Sequence, residues 1–367
     1  VRINRIEWVE RLTKLGAAVN SSSITPEYSY FLFSGGLITA QNGTLTITTP
    51  TAIIPDTGRY VPAGPLLKLL NSIPEDEVEL IFKDDLLRVK TNKLKGKLVT
   101  VPEGEKEKKE KITNQIEISS CSDFIEAIKF CRLAASEDLT TGTLCGVHLY
   151  DQWTFGSDRY RIFTYEREGK VKENMTCTLP VQFIDVVDKY KDEVRSILFF
   201  YNGDKVNHVE ALLEDSTIIS SILLEGEYED LVQYFPQEKD KRIDFPYNED
   251  FVRAVNRQAS FLSNVATTDQ ELFISIVNQK CEFKVVNSDY GSLDEEIDMP
   301  EVSADLAITI CVNPSYIIDA LNEVTDDQRI VSYYPDKILL KISGGTCLCI
   351  MPTIIKESKT EEKKEEK

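Results

Sequence analysis

The sequence predicts an α+β protein built from three like modules. The first observation behind this is an order of elements that is met three times: a helix, strands, a second helix opened by proline, and strands again. The second is the spacing of these passes, roughly 120 residues, which is the size of a domain rather than of a solenoid repeat. The third is that each pass has only two helices among many strands, so helices gather on one face of antiparallel sheets. A chain of 367 residues exceeds one ordinary core. The passes set domains at 1–112, 113–240 and 241–355, with a charged tail at 356–367.

Residues 4–19 read as the first helix, with Trp8, Leu12, Leu15 and Val19 spaced for one apolar face. A Ser-rich turn follows, then strands through Asn42-Gly43-Thr-Leu-Thr-Ile, where Asn-Gly signals a tight hairpin. Residues 61–73 form a short helix with prolines in its opening turn. Strands at 78–82 and 86–90 meet at Lys83-Asp-Asp85, and a further run ends at Val99-Thr-Val-Pro102. Residues 103–111 alternate Glu and Lys without an apolar anchor and read as a solvated linker.

Module two repeats the order. Residues 120–135 are helical with Phe124, Ile128, Cys131 and Ala135 on one side, and strands run through 147–150 and Trp153-Thr-Phe-Gly-Ser-Asp-Arg-Tyr-Arg-Ile-Phe163. The Pro-started helix at 180–190 is followed by a strand at 196–201 and a hairpin at Asn202-Gly203-Asp204. Module three begins near Phe245-Pro-Tyr, with a helix at 248–264, strands at 272–277 and 281–286, and a Pro-started helix at 313–324. Strands at 329–333 and 337–342 close it, and the tail of alternating Glu and Lys reads as disordered.

Composition narrows the function classes. With 42% hydrophobic and 28% charged residues, the chain reads as soluble and globular, with no run long enough to span a bilayer. Its first residues lack the apolar core of a signal peptide. Eight cysteines show no CxxC or CxxH spacing, and Cys347 and Cys349 read as small buried hydrophobes on one strand face rather than as a metal pair. Reduced thiols place the protein in the cytoplasm. Only two histidines occur, His148 and His208, with no nucleophile elbow and no phosphate-cradling loop, so neither an enzyme nor a bound metal or cofactor is expected. Asp294-Glu-Glu reads as an exposed acidic loop.

The net charge of −19 argues against a basic nucleic-acid footprint over the whole surface. Its distribution is uneven. The predicted helices are near neutral, while acid collects in stretches such as Ser292-Leu-Asp-Glu-Glu-Ile-Asp298. One face can therefore be neutral to basic under an acidic exterior. In the middle of the chain, Arg159 and Arg161 alternate with Tyr160 and Ile162 in what reads as a strand after a Gly-Ser-Asp turn. Such a run is either the solvated edge of a sheet or a binding surface, where Arg and aromatics are enriched. Three like modules also suggest closure. If module three pairs edge to edge with module one of a second copy, the contact is head-to-tail and makes a ring.

In order and spacing, several motifs resemble the bacterial-type sliding clamp, the beta subunit of DNA polymerase III, over nearly the whole chain. They are Asn42-Gly-Thr-Leu-Thr-Ile, Val61-Pro-Ala, Leu144-Cys-Gly-Val-His-Leu, Ser157-Asp-Arg-Tyr-Arg-Ile162, Leu224-Glu-Gly-Glu-Tyr-Glu-Asp-Leu231 with Phe235-Pro236, Asn313-Pro-Ser-Tyr-Ile-Ile-Asp-Ala-Leu and Ile350-Met-Pro352. The resemblance implies a DNA-clamp fold in which each chain is half of a closed homodimeric ring of six domains. Helices would line a hole around double-stranded DNA, and the grip would be topological. Inner cations would act on phosphates through a salt-sensitive, sequence-blind attraction.

On the helical wheel Arg253 and Arg257 face away from Phe251, Val255 and Leu262; Lys129 and Arg132 flank the apolar side of their helix, and Lys14 and Lys68 complete the DNA-facing set. The helix at 180–195 fits poorly, since Asp185, Asp188 and Asp192 hold its polar face. The resemblance also implies a cleft between modules two and three for short peptides of the replicative polymerase, the clamp loader and other clamp-binding proteins. Its matching positions are Leu144, Ser157, Arg159, Tyr160, Arg161, Ile162, Tyr234, Asn313, Tyr316, Cys349, Met351 and Pro352. Leu144, Ile162, Tyr234 and Met351 would be its apolar walls, although Ile162 and Met351 serve equally well as core.

Leu98, Phe261 and Leu262 match the dimer contacts. The chain departs from the family at Arg159, where glycine is usual, at Glu229 in place of proline, and at Gly96 and Thr143 in place of aromatics. A different class stays open beside this one, a scaffold of three α+β modules that binds peptides without encircling DNA.

Overall fold

The computed structural model describes residues 1–104, 112, 114–168, 176–203, 205–324, 329–344 and 346–353. Most of the Glu/Lys linker, Asp204 of the second-module hairpin and the tail at 356–367 lie outside these residues. The described residues form six α-helices and antiparallel sheets, the α+β class read from the sequence. They group into two compact bodies. One holds Val1–Arg132, Thr140–Trp153 and Arg167–Glu227; the other holds Leu133–Leu139, Thr154–Glu166 and the described residues from Tyr228 onward.

Each expected helix is present, trimmed by up to three residues at an end. α1 (Arg5–Gly16) starts where Asn4 Oδ1 accepts hydrogen bonds from the N–H groups of Ile6 and Glu7, which relieves two orphan donors of the first turn. α2 (Ala63–Ser72) follows Pro62, and α3 spans Cys121–Arg132. α4 (Val181–Lys189) follows Pro180, α5 (Glu249–Phe261) is capped by Asn248, and α6 (Pro314–Glu323) by Asn313. The helices pack in consecutive pairs, α1 with α2, α3 with α4 and α5 with α6.

Ring–ring contacts tie helix to sheet in each pair, among them Trp8 on Phe33 (6.3 Å between centroids), Phe124 on Phe199 (5.9 Å) and Phe251 on Phe283 (5.2 Å). Except for Trp8, which is half-buried, these rings are fully buried and anchor the cores.

In the first body a four-stranded sheet runs in the order Arg2–Asn4, Glu77–Lys83, Leu86–Lys90, Lys95–Val99. Its middle turn, Asp84-Asp85, has both residues at positive φ (53° and 56°), as a two-residue hairpin requires. The second sheet crosses from module two into module one. Asn114–Glu117, Val194–Asn202, Lys205–Leu213 and Ile218–Ile222 continue into Leu45–Pro50, Leu37–Gln41, Tyr30–Ser34, Arg59–Pro62 and Val101–Pro102. The join is an antiparallel pairing with Ile219 opposite Ile47.

In the second body a sheet runs through Ile162–Glu166, Cys347–Pro352, Leu339–Gly344, Ile330–Tyr334 and Ile243–Pro246. Here the module-two strand Ile162–Glu166 pairs with the module-three strand Cys347–Pro352, Ile162 opposite Ile350. The other sheet runs Gly291–Asp298, Lys280–Asn287, Leu272–Val277, Ala307–Val312.

Two expectations need correction. Asp294-Glu-Glu is not a loop: it lies in the strand Gly291–Asp298, whose Leu293, Glu295 and Ile297 alternate inward. Arg159 and Arg161 are not in a strand either. Residues 158–161 turn between Trp153–Ser157 and Ile162–Glu166, because Asp158 Oδ1 accepts from the N–H groups of both Tyr160 and Arg161 at 3.0 Å.

Lys14 is only 9% exposed, and its ammonium donates to Glu193 and to Asp215 (2.9 Å) within the first body. Burial works against the charged Lys14, yet the two carboxylates raise its pKa; burial likewise opposes the charged Asp215, yet Lys14 and Thr217 lower its pKa. The stability from Asp215 is therefore present above its ordinary value of 3.8 and lost as pH falls through its depressed value. That from Lys14 is full below 10.5 and lost as pH rises through its raised value. Chemical denaturation across pH is expected to show a plateau between these limits, and Lys14→Met should flatten both shoulders.

Candidate functional site

Eleven of the twelve residues expected to form the peptide cleft lie in the second body; Leu144 lies in the first, buried just ahead of the strand Gly146–Tyr150. The turn at 158–161 organises the eleven. Ser157, buried at the end of its strand, accepts from the Arg159 N–H at 3.2 Å. Asp158 Oδ2 accepts from Arg161 Nε at 3.0 Å, and Arg161 also donates to Asp319 on α6 and to the Leu133 carbonyl (2.7 Å). The guanidinium lies 5.1 Å from the Tyr316 ring centroid and 5.5 Å from that of Phe163. Burial disfavours its charge, but Asp319 and Asp158 outweigh burial and raise its pKa.

Tyr160 lies along Tyr316, centroids 6.0 Å apart and planes 18° from parallel. Tyr160 is 53% exposed and Tyr316 half-buried. Tyr234 is 47% exposed and donates its hydroxyl to Glu229 at 2.6 Å, a bond that raises its pKa. Pro352 is exposed on the strand that carries Cys349 and Met351. Those two and Ile162 are buried, so they form core; burial also pushes the Cys349 thiol well above its usual range. Asn313 is spent on structure: its Oδ1 accepts from the Ser315 N–H at 2.9 Å, and its Nδ2 donates to the Thr267 carbonyl.

The outward surface of the set is thus Arg159, Tyr160, Tyr234 and Pro352, backed by Tyr316 and Arg161. Sequence reading missed Asp158 and Asp319. The signal for Asp158 was the Ser-Asp-x-x-Arg turn itself; Asp319 carried none, since it lies 158 positions from Arg161.

Of the candidate DNA-facing cations, Lys68, Arg253 and Arg257 are exposed, and Lys129 and Arg132 are half-buried. Arg132 pairs with Asp185 at 3.0 Å, Arg253 with Asp250 at 3.4 Å, and Arg257 with Glu295 through two hydrogen bonds. Lys14 leaves the set, because it is buried and its charge is already matched twice. Leu262 leaves the dimer set for a related reason: at 2% exposure it is core of its own body at the end of α5. Leu98 and Phe261 are half-buried. A Cβ at Gly96 would stand 3.1 Å from Leu69 Cδ2, the tip of a flexible side chain. Among the described residues no helix is long and apolar enough to cross a membrane, and no group of three or more His, Cys, Asp or Glu is placed to hold a metal.

No protein-family model matches the chain. Two curated relatives, each a beta sliding clamp of Streptococcus pneumoniae, are 23% identical over 210 residues. That match covers 54% of this chain, and the chain spans about half the length of those relatives, 53%. The solved DNA polymerase III beta subunit of Thermotoga maritima superposes with a TM-score of 0.80 at 18% identity, over 97% of this chain and 99% of that one. The sliding clamp of Bartonella birtlesii, solved with griselimycin bound, gives 0.83 at 16% identity over the same shares. The beta subunit of Pseudomonas aeruginosa gives 0.80 at 15% identity over 96% and 99%. At low sequence identity, this chain therefore has the fold of the DNA polymerase III beta-subunit sliding clamps along its length.

Proposed function

We propose that the protein is a DNA sliding clamp, a non-catalytic ring that encircles duplex DNA in the cytoplasm and tethers the replicative polymerase, its loader and other peptide-bearing partners. One observation carries the reading, the way the modules are sewn together. In each module a third strand after the first helix is available as an edge, and the last strand of the next module pairs with it. Leu45–Pro50 takes Ile218–Ile222, and Ile162–Glu166 takes Cys347–Pro352. The same rule leaves two outer edges unmatched among the described residues, that of Gly291–Asp298, third in module three, and that of Lys95–Val99, the last strand of the first body's four-stranded sheet.

Those two edges match in charge. Lys95 and Lys97 are exposed on one, and Asp294, Glu296 and Asp298 on the other. Opposite charges in facing strands attract and set partner choice. A second copy supplies the mate to each edge, and two such seams close a head-to-tail ring.

The reading is tested by mass and by topology. In solution the protein should run at twice its chain mass, and after loading it should stay on nicked circular DNA but slide off linear DNA. Equal retention on both would mark an ordinary DNA binder, and retention on neither, with a loader supplied, a peptide scaffold. Reversing Lys95 and Lys97 to Glu sets like charges across both seams. The dimer dissociation constant is then expected to rise by roughly 100-fold, because such juxtapositions cost several kcal/mol. Sedimentation measures it, and Asp294→Lys with Glu296→Lys in the same chain should restore the dimer.

A further inference from the structure

Module one has a small cavity between its two sheets, wholly within the first body. Arg59 lines it from the nine-stranded sheet, and Phe82 and Leu86 from the four-stranded one. Thr100 stands where the chain passes between those sheets, from Lys95–Val99 to Val101–Pro102, and buried Pro55 completes the inner wall. The cavity's empty volume of about 290 Å³ is just under that of ordinary small-molecule pockets, so it suits a group of a few atoms. Its walls are held by the fold itself. The Thr100 N–H donates to the Asp85 carbonyl at 2.9 Å, the Glu103 N–H donates to the Gly58 carbonyl at 2.8 Å, and Phe82 packs edge-on against Phe33.

The polar groups divide by depth. Thr100 is 4% exposed, and its buried hydroxyl oxygen has no hydrogen-bond partner among the described residues. Buried hydroxyls are nearly always partnered, so one left open in a cavity wall points to something the cavity holds. The Arg59 side chain is 21% exposed, and among the described residues it engages only Nη1, on Asp85, which leaves the rest of its donor fork open. The acids lie at the rim. Asp84 and Asp85 are 68% and 71% exposed and are held by Arg88 and Arg59, and Asp56 is exposed. Exposed Lys83 adds a cation to the same rim. Donors thus line the interior, while the acids are not placed to hold a metal.

We propose that this cavity binds a small oxyanion, a carboxylate or a phosphate group. The Arg59 fork takes two of its oxygens in the bidentate manner of guanidinium pairs, and the Thr100 hydroxyl donates to it. The site shares no residue with the cleft or the seams and stands apart from the ring reading.

The test is calorimetric titration of the full chain with sodium phosphate and with sodium acetate, ionic strength being held constant with chloride. At least one of the two should bind saturably, one per chain, and the tighter identifies the group as phosphate or carboxylate. Thr100→Val should weaken that binding about tenfold, the usual worth of a hydrogen bond to a charged group, and Arg59→Gln should weaken it further. In chloride alone Thr100→Val should melt no lower than wild type, because the lost hydroxyl has no partner in the fold. Binding of neither anion, or binding that either variant keeps in full, overturns the site. So does a lowered melting point of Thr100→Val in chloride, which would show that the hydroxyl serves the fold.

Discussion

Arg161→Ala is expected to lower the unfolding free energy by about 3–5 kcal/mol, the usual cost of removing one partner from a buried charge cluster. The side chain is 11% exposed, and its two acids, Asp158 and Asp319, are 18% and 34% exposed. Truncation leaves both carboxylates without a counter-ion, and Tyr316 loses the cation beneath its ring. The turn at 158–161 loses one of its ties to Asp158 and its link to α6. Denaturant titration measures the loss. Adding Asp319→Asn should recover part of it, because the neutral amide no longer needs the missing charge; a double variant as unstable as the sum of its parts would show that the pair is not coupled.

Gly146→Ala should be comparably damaging for a steric reason. A Cβ at Gly146 would stand 2.5 Å from the Leu179 carbonyl oxygen, 2.7 Å from Leu224 Cδ1 and 2.8 Å from Thr178 Cγ2. The two side chains can rotate away, but the carbonyl belongs to the strand Thr176–Pro180 that pairs with Gly146–Tyr150. The strands must part or slip, and overpacking of this kind costs about 1–3 kcal/mol or more. A thermal midpoint several degrees below wild type is expected. Glycine is needed here for space, not for backbone freedom, so Gly146→Ser should behave no better. An unchanged midpoint in either variant would contradict the packing described.

The helices were legible because their signals are local. Apolar spacing, Asn caps and prolines at the first turn lie within a few residues of the structure they specify, and the ends erred only where fraying decides them. Asn42-Gly43 was legible in the same way: Asn42 Oδ1 accepts from the Thr44 and Leu45 N–H groups, and Gly43 supplies a φ of 96°. What the sequence hid depends on residues far along the chain. Lys14 looked like a helix-face cation, and only Glu193 and Asp215, 179 and 201 positions away, make it a buried one. Leu262 sat correctly on the apolar side of its wheel, but a wheel does not distinguish core from interface. At 158–161 the Arg/Tyr alternation imitated a strand, and the Asp158 side chain overrode it by offering the backbone a nearer acceptor. The acidic run at 291–298 erred the other way: its many charges concealed the period-two pattern of Leu293 and Ile297.

The two open edges, of Lys95–Val99 and Gly291–Asp298, have one more consequence. Lysine edges repel lysine edges and acidic edges repel acidic ones, so neither end can join its own kind, and the protein guards its open margins against indiscriminate stacking. In the ring proposed above, this gives assembly a direction: its two sides are unlike, and both subunits turn the same side toward whatever approaches along the duplex.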